Sequence, residues 1–364
     1  MTRTLAVVTL LTALALSGCE AVIGTPRAVG EIPEILVVAD SATWEGPVGE
    51  AIRAELAQPI ATLPNNQGAF KLKHRVLTPR TYDGIQAARN VVFAAPIDED
   101  SRVGEFLRDR IDPASQQAIR SGNAVGINLR PSLWASGQLV VLATASDDQA
   151  LTSQILRRGP ELRAAFDSLA HQATYADMFA RGRQTALEDS LARDHGWTVN
   201  IQHDYVKVQD TTVTAAGRTG EFVRYRRVLT ETWRDFFVFV EDDVREVPPP
   251  SELDALTDSL LQTFARGVRD VSYVQLDFER PIRQDTVSVQ GQPALETRGL
   301  WYMTNDLMAG PYVRTAYVDP ATDRLFVYYG MVFAPDRRLD KREFLRQLEV
   351  IGRTVRPASP PPPA

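Results

Sequence analysis

The chain has 364 residues, 44% of them apolar, with 40 Lys and Arg against 46 Asp and Glu for a net charge of −6. That length is ample for one or two packed cores. The mildly acidic balance excludes nucleic acid as a partner, because phosphate binding needs clustered Lys and Arg. A single cysteine excludes an internal disulfide framework, so the fold must rest on its core.

That cysteine is Cys19. Arg3 precedes twelve apolar or near-apolar residues, Leu5 to Leu16, followed by Ser17-Gly18-Cys19. The run is shorter than the about 20 residues that cross a bilayer and suits the apolar region of a signal peptide. A large aliphatic residue, two small ones and a cysteine form the pattern of a bacterial lipobox. The thiol takes the diacylglyceryl group, and the small residues fit the peptidase. The residues predict a signal peptide over 1–18, lipidation at Cys19 and a tether over 19–30. The protein is expected in the cell envelope, anchored to the inner or outer membrane and facing the periplasm. Cleavage removes Arg3 and takes the net charge to −7.

From Ile35 to Ala39 a continuous apolar run predicts a strand buried on both faces. A helix follows over Val48–Leu56, then a strand over Phe70–Val76. "NVVFAAP" (90–96) and "QLVVLATA" (138–145) are further buried strands, with helices over Val103–Ile111 and from Ser146, the expected N-cap, to Arg158. Alternation of this kind predicts a layered α/β domain over 31–158. Gly159-Pro160 interrupts the pattern, and 159–196 is read as a helical connector without special chemistry, one helix or two broken near Gly182. Gly196 is its C-terminal stop.

Beyond Gly196 the pattern turns to β. "EFVRYRRVL" and "WRDFFVFVE" flank a short turn as a hairpin, and Ser251 and Asp254 stand at capping-box spacing before a helix. Strands "LETRGLWYM", "PYVRTAYVD" and "DRLFVYYGMVFAP" precede a helix from Asp340 to Val355. The order hairpin-then-helix occurs twice. It predicts an α+β domain over 197–356, either an internal duplication or one two-part sheet with its helices on one face. Residues 357–364 form a proline-rich tail.

Catalytic motifs are missing: there is no G-x-S-x-G, no phosphate-binding glycine loop and no H-E-x-x-H. The four histidines lie apart without metal-ligand spacing, so no metal and no cofactor is expected. Asp98-Glu99-Asp100 precedes a helix and is read as N-terminal charge compensation. In the last helix Phe344, Leu345, Leu348, Ile351 and Val355 form an apolar stripe that packs on a sheet, with Arg342, Arg346 and Arg353 pointing elsewhere. Candidate binding residues are aromatic or lie in one loop. Trp44 follows the first strand, where α/β folds often bind ligands, and Trp134 precedes another. Trp301 stands at the base of "TNDLMAG", a link longer than a tight hairpin needs, which carries Asn305 and the apolar pair Leu307 and Met308. In that loop the pair serves either as a contact surface or as a plug in the core.

"EILVVADSATWEGPVGEAIRAEL", "LPNNQGAF", "LWASGQLV" and "RGLWYMTNDLMAGPYV…RLFVYYGMVFAP…KREFLRQLEVI" together resemble the domain of unknown function 4837 family of Bacteroidota-type lipoproteins. The sequence departs from that pattern at Asn66-Gln67-Gly68, Gly137 and Ala309. The resemblance implies an envelope location and a lipid anchor, and it carries over no catalytic or binding residue. The favoured reading is a non-catalytic envelope protein, held on the membrane by its N-terminal lipid, that binds or scaffolds another envelope protein or polymer. The alternatives are an envelope hydrolase with carboxylate acid and base, and a purely structural protein. A hydrolase needs an open pocket with carboxylates whose pKa values are pushed apart; a binder needs an exposed apolar patch or aromatic groove.

Overall fold

The computed structural model describes residues 25–65, 67–124, 126–230, 232–267 and 271–358. Cys19, the expected signal peptide, the start of the expected tether and most of the proline-rich tail lie outside them. The first half runs β1 (Glu34–Val38), α1 (Ser41–Glu45), α2 (Pro47–Leu56), β2 (Lys71–Arg75), α3 (Tyr82–Ala87), β3 (Asn90–Ala94), α4 (Arg102–Arg108), α5 (Pro113–Arg120), β4 (Gly126–Pro131), β5 (Leu139–Thr144) and α6 (Asp148–Phe179). Its sheet has the order β2-β1-β3-β5-β4, parallel except for β4. Ile35 and Val37 face a core with α2 and α6, while Leu36 and Val38 face one with α3 and α4. Cover on both faces is why these strands read as unbroken apolar runs.

α6 continues through Gly159-Pro160, where the sequence suggested a break, and its N-cap is Asp147 in place of Ser146. Pro160 is exposed. On the solvent side of a long helix the carbonyl that loses its partner can turn to water, so the ring does not end the helix. Gly159 serves packing instead: a Cβ there would lie 2.0 Å from the Glu55 carboxylate on α2.

The second half continues with α7 (Thr185–His195), β6 (Trp197–Thr198), β7 (Val206–Ala215), β8 (Arg218–Val228), β9 (Trp233–Glu241), α8 (Pro250–Phe264), β10 (Val274–Asp277), β11 (Arg283–Val289), β12 (Gln292–Met303), β13 (Ala309–Asp319), β14 (Arg324–Phe333), α9 (Lys341–Gly352) and β15 (Arg356–Pro357). Gly196, at φ 69°, ends α7 in the left-handed conformation expected of it. An eight-stranded antiparallel sheet has the order β10-β12-β13-β14-β9-β8-β7, with β11 also paired to β12. Along β14, Phe326, Tyr328 and Val332 face α9, whereas Leu325, Val327, Tyr329 and Met331 face α8. The two helices therefore cover opposite faces, not one. The two-fold relating antiparallel neighbours would place both on the same face, so β8–β9–α8 and β13–β14–α9 are not related by it. Ser251 and Asp254 form no capping box; Pro249 is the N-cap, and Asp254 pairs with Arg314 at 2.7 Å. None of the described helices is long and apolar enough to cross a membrane.

Candidate functional site

The loop 304–308 joins β12 to β13 at one end of the eight-stranded sheet. Met303 N–H donates to the Met308 carbonyl at 2.8 Å and closes it, while Asn305 adopts φ 58° to make the turn. Polar contacts tie the loop to the chain before β10: Thr304 N–H donates to Tyr273 O at 2.9 Å, and Asn305 Nδ2 donates to Val271 O at 3.3 Å. So braced, the loop has no packing use for Leu307, whose relative accessibility is 103%. Val271 at 65% and, on the β8–β9 tip, Val228 at 67% add to the exposed apolar surface of this end.

Behind the loop is a cavity of about 190 Å³ lined by Met303, Met308, Met331, Trp233, Val274 and the residues just after α8, Ala265 and Gly267, with Arg226, Arg266 and Asp306 as its charged residues. Arg224 fixes the end of α8. Asp235 holds its guanidinium through two 2.7 Å bonds, and it donates onward to the Phe264 carbonyl. Trp233 stacks on Phe333 at 5.3 Å and tilts against Trp301 at 5.6 Å, with the Arg226 guanidinium 5.4 Å from its ring centroid. Three thioethers beside an aromatic face make a polarisable wall that adapts to varied shapes. The volume falls below the roughly 300–1,000 Å³ of small-molecule sites, and suits one inserted apolar side chain.

The residues singled out in the sequence separate here. Asn305, Leu307 and Met308 share the loop, but of the three only Met308 lines the cavity: it is half-buried, and Leu307 beside it is wholly exposed. Trp301 is corrected: it is fully buried, its Nε1 donating to Val332 O at 3.2 Å, and it supports the cavity from the core without touching solvent. Trp44 and Trp134 lie in the other half. Trp44 is stacked on His74 with centroids 5.1 Å apart, and Trp134 packs among Phe93, Phe106 and Tyr82. Trp233 and Met331 were missed. Their approach to Met308 depends on strand pairing that no local spacing reveals.

A larger hollow of about 460 Å³ opens at the carboxyl ends of β1, β3 and β5, beside the reversal of strand order that suits ligands. Three of its four carboxylates are already engaged, and the fourth, Asp148, stands in the first turn of α6. Glu99 accepts from Thr43 and Ser101, Asp98 pairs with Arg120 at 2.8 Å, and Asp147 caps α6.

A buried ionic cluster joins the two halves, and its residues contradict the expected outward Arg342 and Arg346. Glu349 on α9 accepts from Arg342 at 2.9 Å and faces His171 Nε2 at 3.0 Å, with Arg298 Nε 3.2 Å away. Asp167 on α6 pairs with Arg342 at 3.1 Å and Arg346 at 3.2 Å, and Glu296 pairs with Arg298 at 2.7 Å. Burial raises the Glu349 carboxyl, but Arg298, Arg342 and His171 more than reverse it and hold it well below the ordinary range. Glu296 is raised by burial, which Arg298 only partly offsets. Such divergence is what acid–base catalysis requires. However, no member of the trio Arg342, Arg346 and Glu349 is more than 5% exposed, and groups closed to solvent are closed to a substrate. α6, read as a plain connector, thus carries half of a joint. The spacing 342, 346, 349 places the trio on one face of α9, a signal legible in the sequence. Among the described residues no group of His, Cys, Asp and Glu could hold a metal ion.

Residues 184–354 match the family model described as Domain of unknown function (DUF4837), and residues 28–179 match a second, Domain of unknown function (DUF8532). The N-terminal stretches that contributed to the resemblance fall within the second. No curated protein and no solved structure matches the chain.

Proposed function

Residues 184–354 belong to the domain of unknown function 4837 family, and for this chain we propose a binding protein that captures an apolar side chain of an envelope protein in the methionine-lined cavity. Cys19 holds it on the membrane by acylation, and the partner is an envelope protein within reach of that anchor. The observation that carries this reading is Leu307: a fully exposed leucine, on a loop held by its own hydrogen bonds, between Asp306 and Met308, which line a cavity walled also by Met303 and Met331. Burying a leucine of this exposure on a partner contributes about 1.5–3 kcal/mol, the range for a side chain taken fully out of water.

A photo-crosslinking residue placed at 307 tests it, with one at Leu156, an exposed apolar position on α6, as control. Irradiation of native membranes should give one adduct of defined mass from position 307 and none from 156. Absence of an adduct at 307, or the same adducts from both positions, rejects the reading.

A further inference from the structure

The N-terminal sheet extends one strand beyond its helical cover on the α3 side, and the uncovered strip forms a groove of about 320 Å³. Leu36 and Ile85 form its floor. Arg75 from β2, Arg80 before α3 and Arg89 after it line it, with Val29, Gly30 and Glu31 from the entering chain. Both carboxylates of the groove are engaged by lysines: Glu31 by Lys71 at 3.4 Å and Glu34 by Lys73 at 2.5 Å. Among the described residues no carboxylate pairs with any of the three arginines. Arg75 Nη1 donates to the His74 carbonyl, and Arg89 Nε is enclosed with no acceptor. A guanidinium partly withdrawn from water without a counter-ion is a standing electrostatic cost that an arriving anion relieves.

We propose that this groove binds a phosphate ester. Three guanidiniums are far more than an uncharged ligand requires, the fork geometry of arginine matches phosphate oxygens, and the apolar floor accepts the organic part of an ester. The volume lies within the small-molecule range, unlike the cavity at Leu307. Such a group could come from a phospholipid or from a soluble ester. Val29 lies on the groove wall ten residues after Cys19, so at most about 35 Å of extended chain separates them. The lipid source rests on the proposed acylation of Cys19; the soluble source does not.

The experiment measures thermal unfolding of the full chain in neutral detergent micelles. One arm adds glycerol phosphate, a second dopes the micelles with phosphatidylglycerol, and a third with phosphatidylcholine. Ligand at 100 times its dissociation constant should raise the melting temperature by several degrees, and added salt should reduce the effect. A rise with phosphatidylglycerol alone identifies a lipid headgroup, and an equal rise with glycerol phosphate identifies a soluble ester. The double variant Arg75→Gln, Arg80→Gln alters exposed side chains without ion pairs, so its unliganded melting temperature should match that of the parent. Its affinity should fall at least tenfold. No rise in any arm, or a rise the double variant retains in full, overturns the proposal.

Discussion

Replacing Glu349 by Gln tests whether the buried cluster bears load between the two halves. The substitution keeps the volume and removes one negative charge from a site 1% exposed. Arg342, His171 and Arg298 then face an amide whose nitrogen is itself a donor. Breaking a buried ion pair from one side costs about 3–5 kcal/mol, because the remaining charge stays desolvated. Arg342 retains Asp167 at 3.1 Å and Arg298 retains Glu296 at 2.7 Å, which places the expected loss near the lower end, about 3 kcal/mol. Against a typical stability of about 5–15 kcal/mol this is a large fraction. Urea unfolding at neutral pH, followed by tryptophan fluorescence, measures it as a lower midpoint at unchanged slope. Pairing the change with His171→Gln should show a coupling of about 1–3 kcal/mol, as for contacting residues of one network. A loss below about 1 kcal/mol, with both slopes equal, refutes the reasoning, since water would then be replacing the pairs.

The same cluster sets the acid sensitivity. Glu349 and Asp167, both subject to opposing burial, are held low by their cationic neighbours, so their stabilisation is complete above the ordinary carboxylate range and is lost as pH falls through and below it. Glu296, raised by burial, acts in the opposite sense and softens the decline. Urea midpoints should drop from pH 7 to pH 3, and a flat profile contradicts the assignment. Leu307→Ser should leave stability within about 0.5 kcal/mol, whereas Met308→Ser, half-buried in the cavity wall, should lose about 1–2 kcal/mol; thermal unfolding of the two variants separates the contact residue from the wall. Gly310→Ala should cost more than about 2 kcal/mol, because its Cβ would stand 1.9 Å from the Val332 carbonyl oxygen that Trp301 Nε1 also occupies; an unchanged melting temperature would show that β13 and β14 can part there. Cys19→Ser should abolish incorporation of labelled fatty acid in a bacterial host, and label retained by the variant rejects acylation at that thiol.

Runs such as Ile35–Val38 and Phe236–Val240 were legible because both faces of their strands are covered, so every position is apolar and no register is needed to recognise them. The errors concern what lies outside the local pattern: solvent in the case of Pro160, partners far away in sequence in the others. Pro160 signals a helix end by its own chemistry, yet lies on a face where a lost hydrogen bond can be met by water. Arg342 and Arg346 resemble a solvated flank, but Asp167, on a helix about 175 residues earlier, joins Glu349 and Glu343 of their own helix in making their burial tolerable. Trp301 resembles the foot of a binding loop until the Val332 carbonyl and the Trp233 ring close over it. The candidate site was legible where its signal was local. A hairpin link with two apolar residues exceeds what a turn requires, and that excess drew attention to Leu307 and Met308. The cavity that Met308 lines was not legible, because its other walls come from β9, β14 and the residues just after α8. Nothing in "TNDLMAG" distinguishes a plug from a contact surface. The distinction arises from the depth left between those elements, which admits Met308 and leaves Leu307 in water. On the proposed function, a loop that divides an apolar pair in this way would present one residue to a partner while the other shapes the space that partner enters.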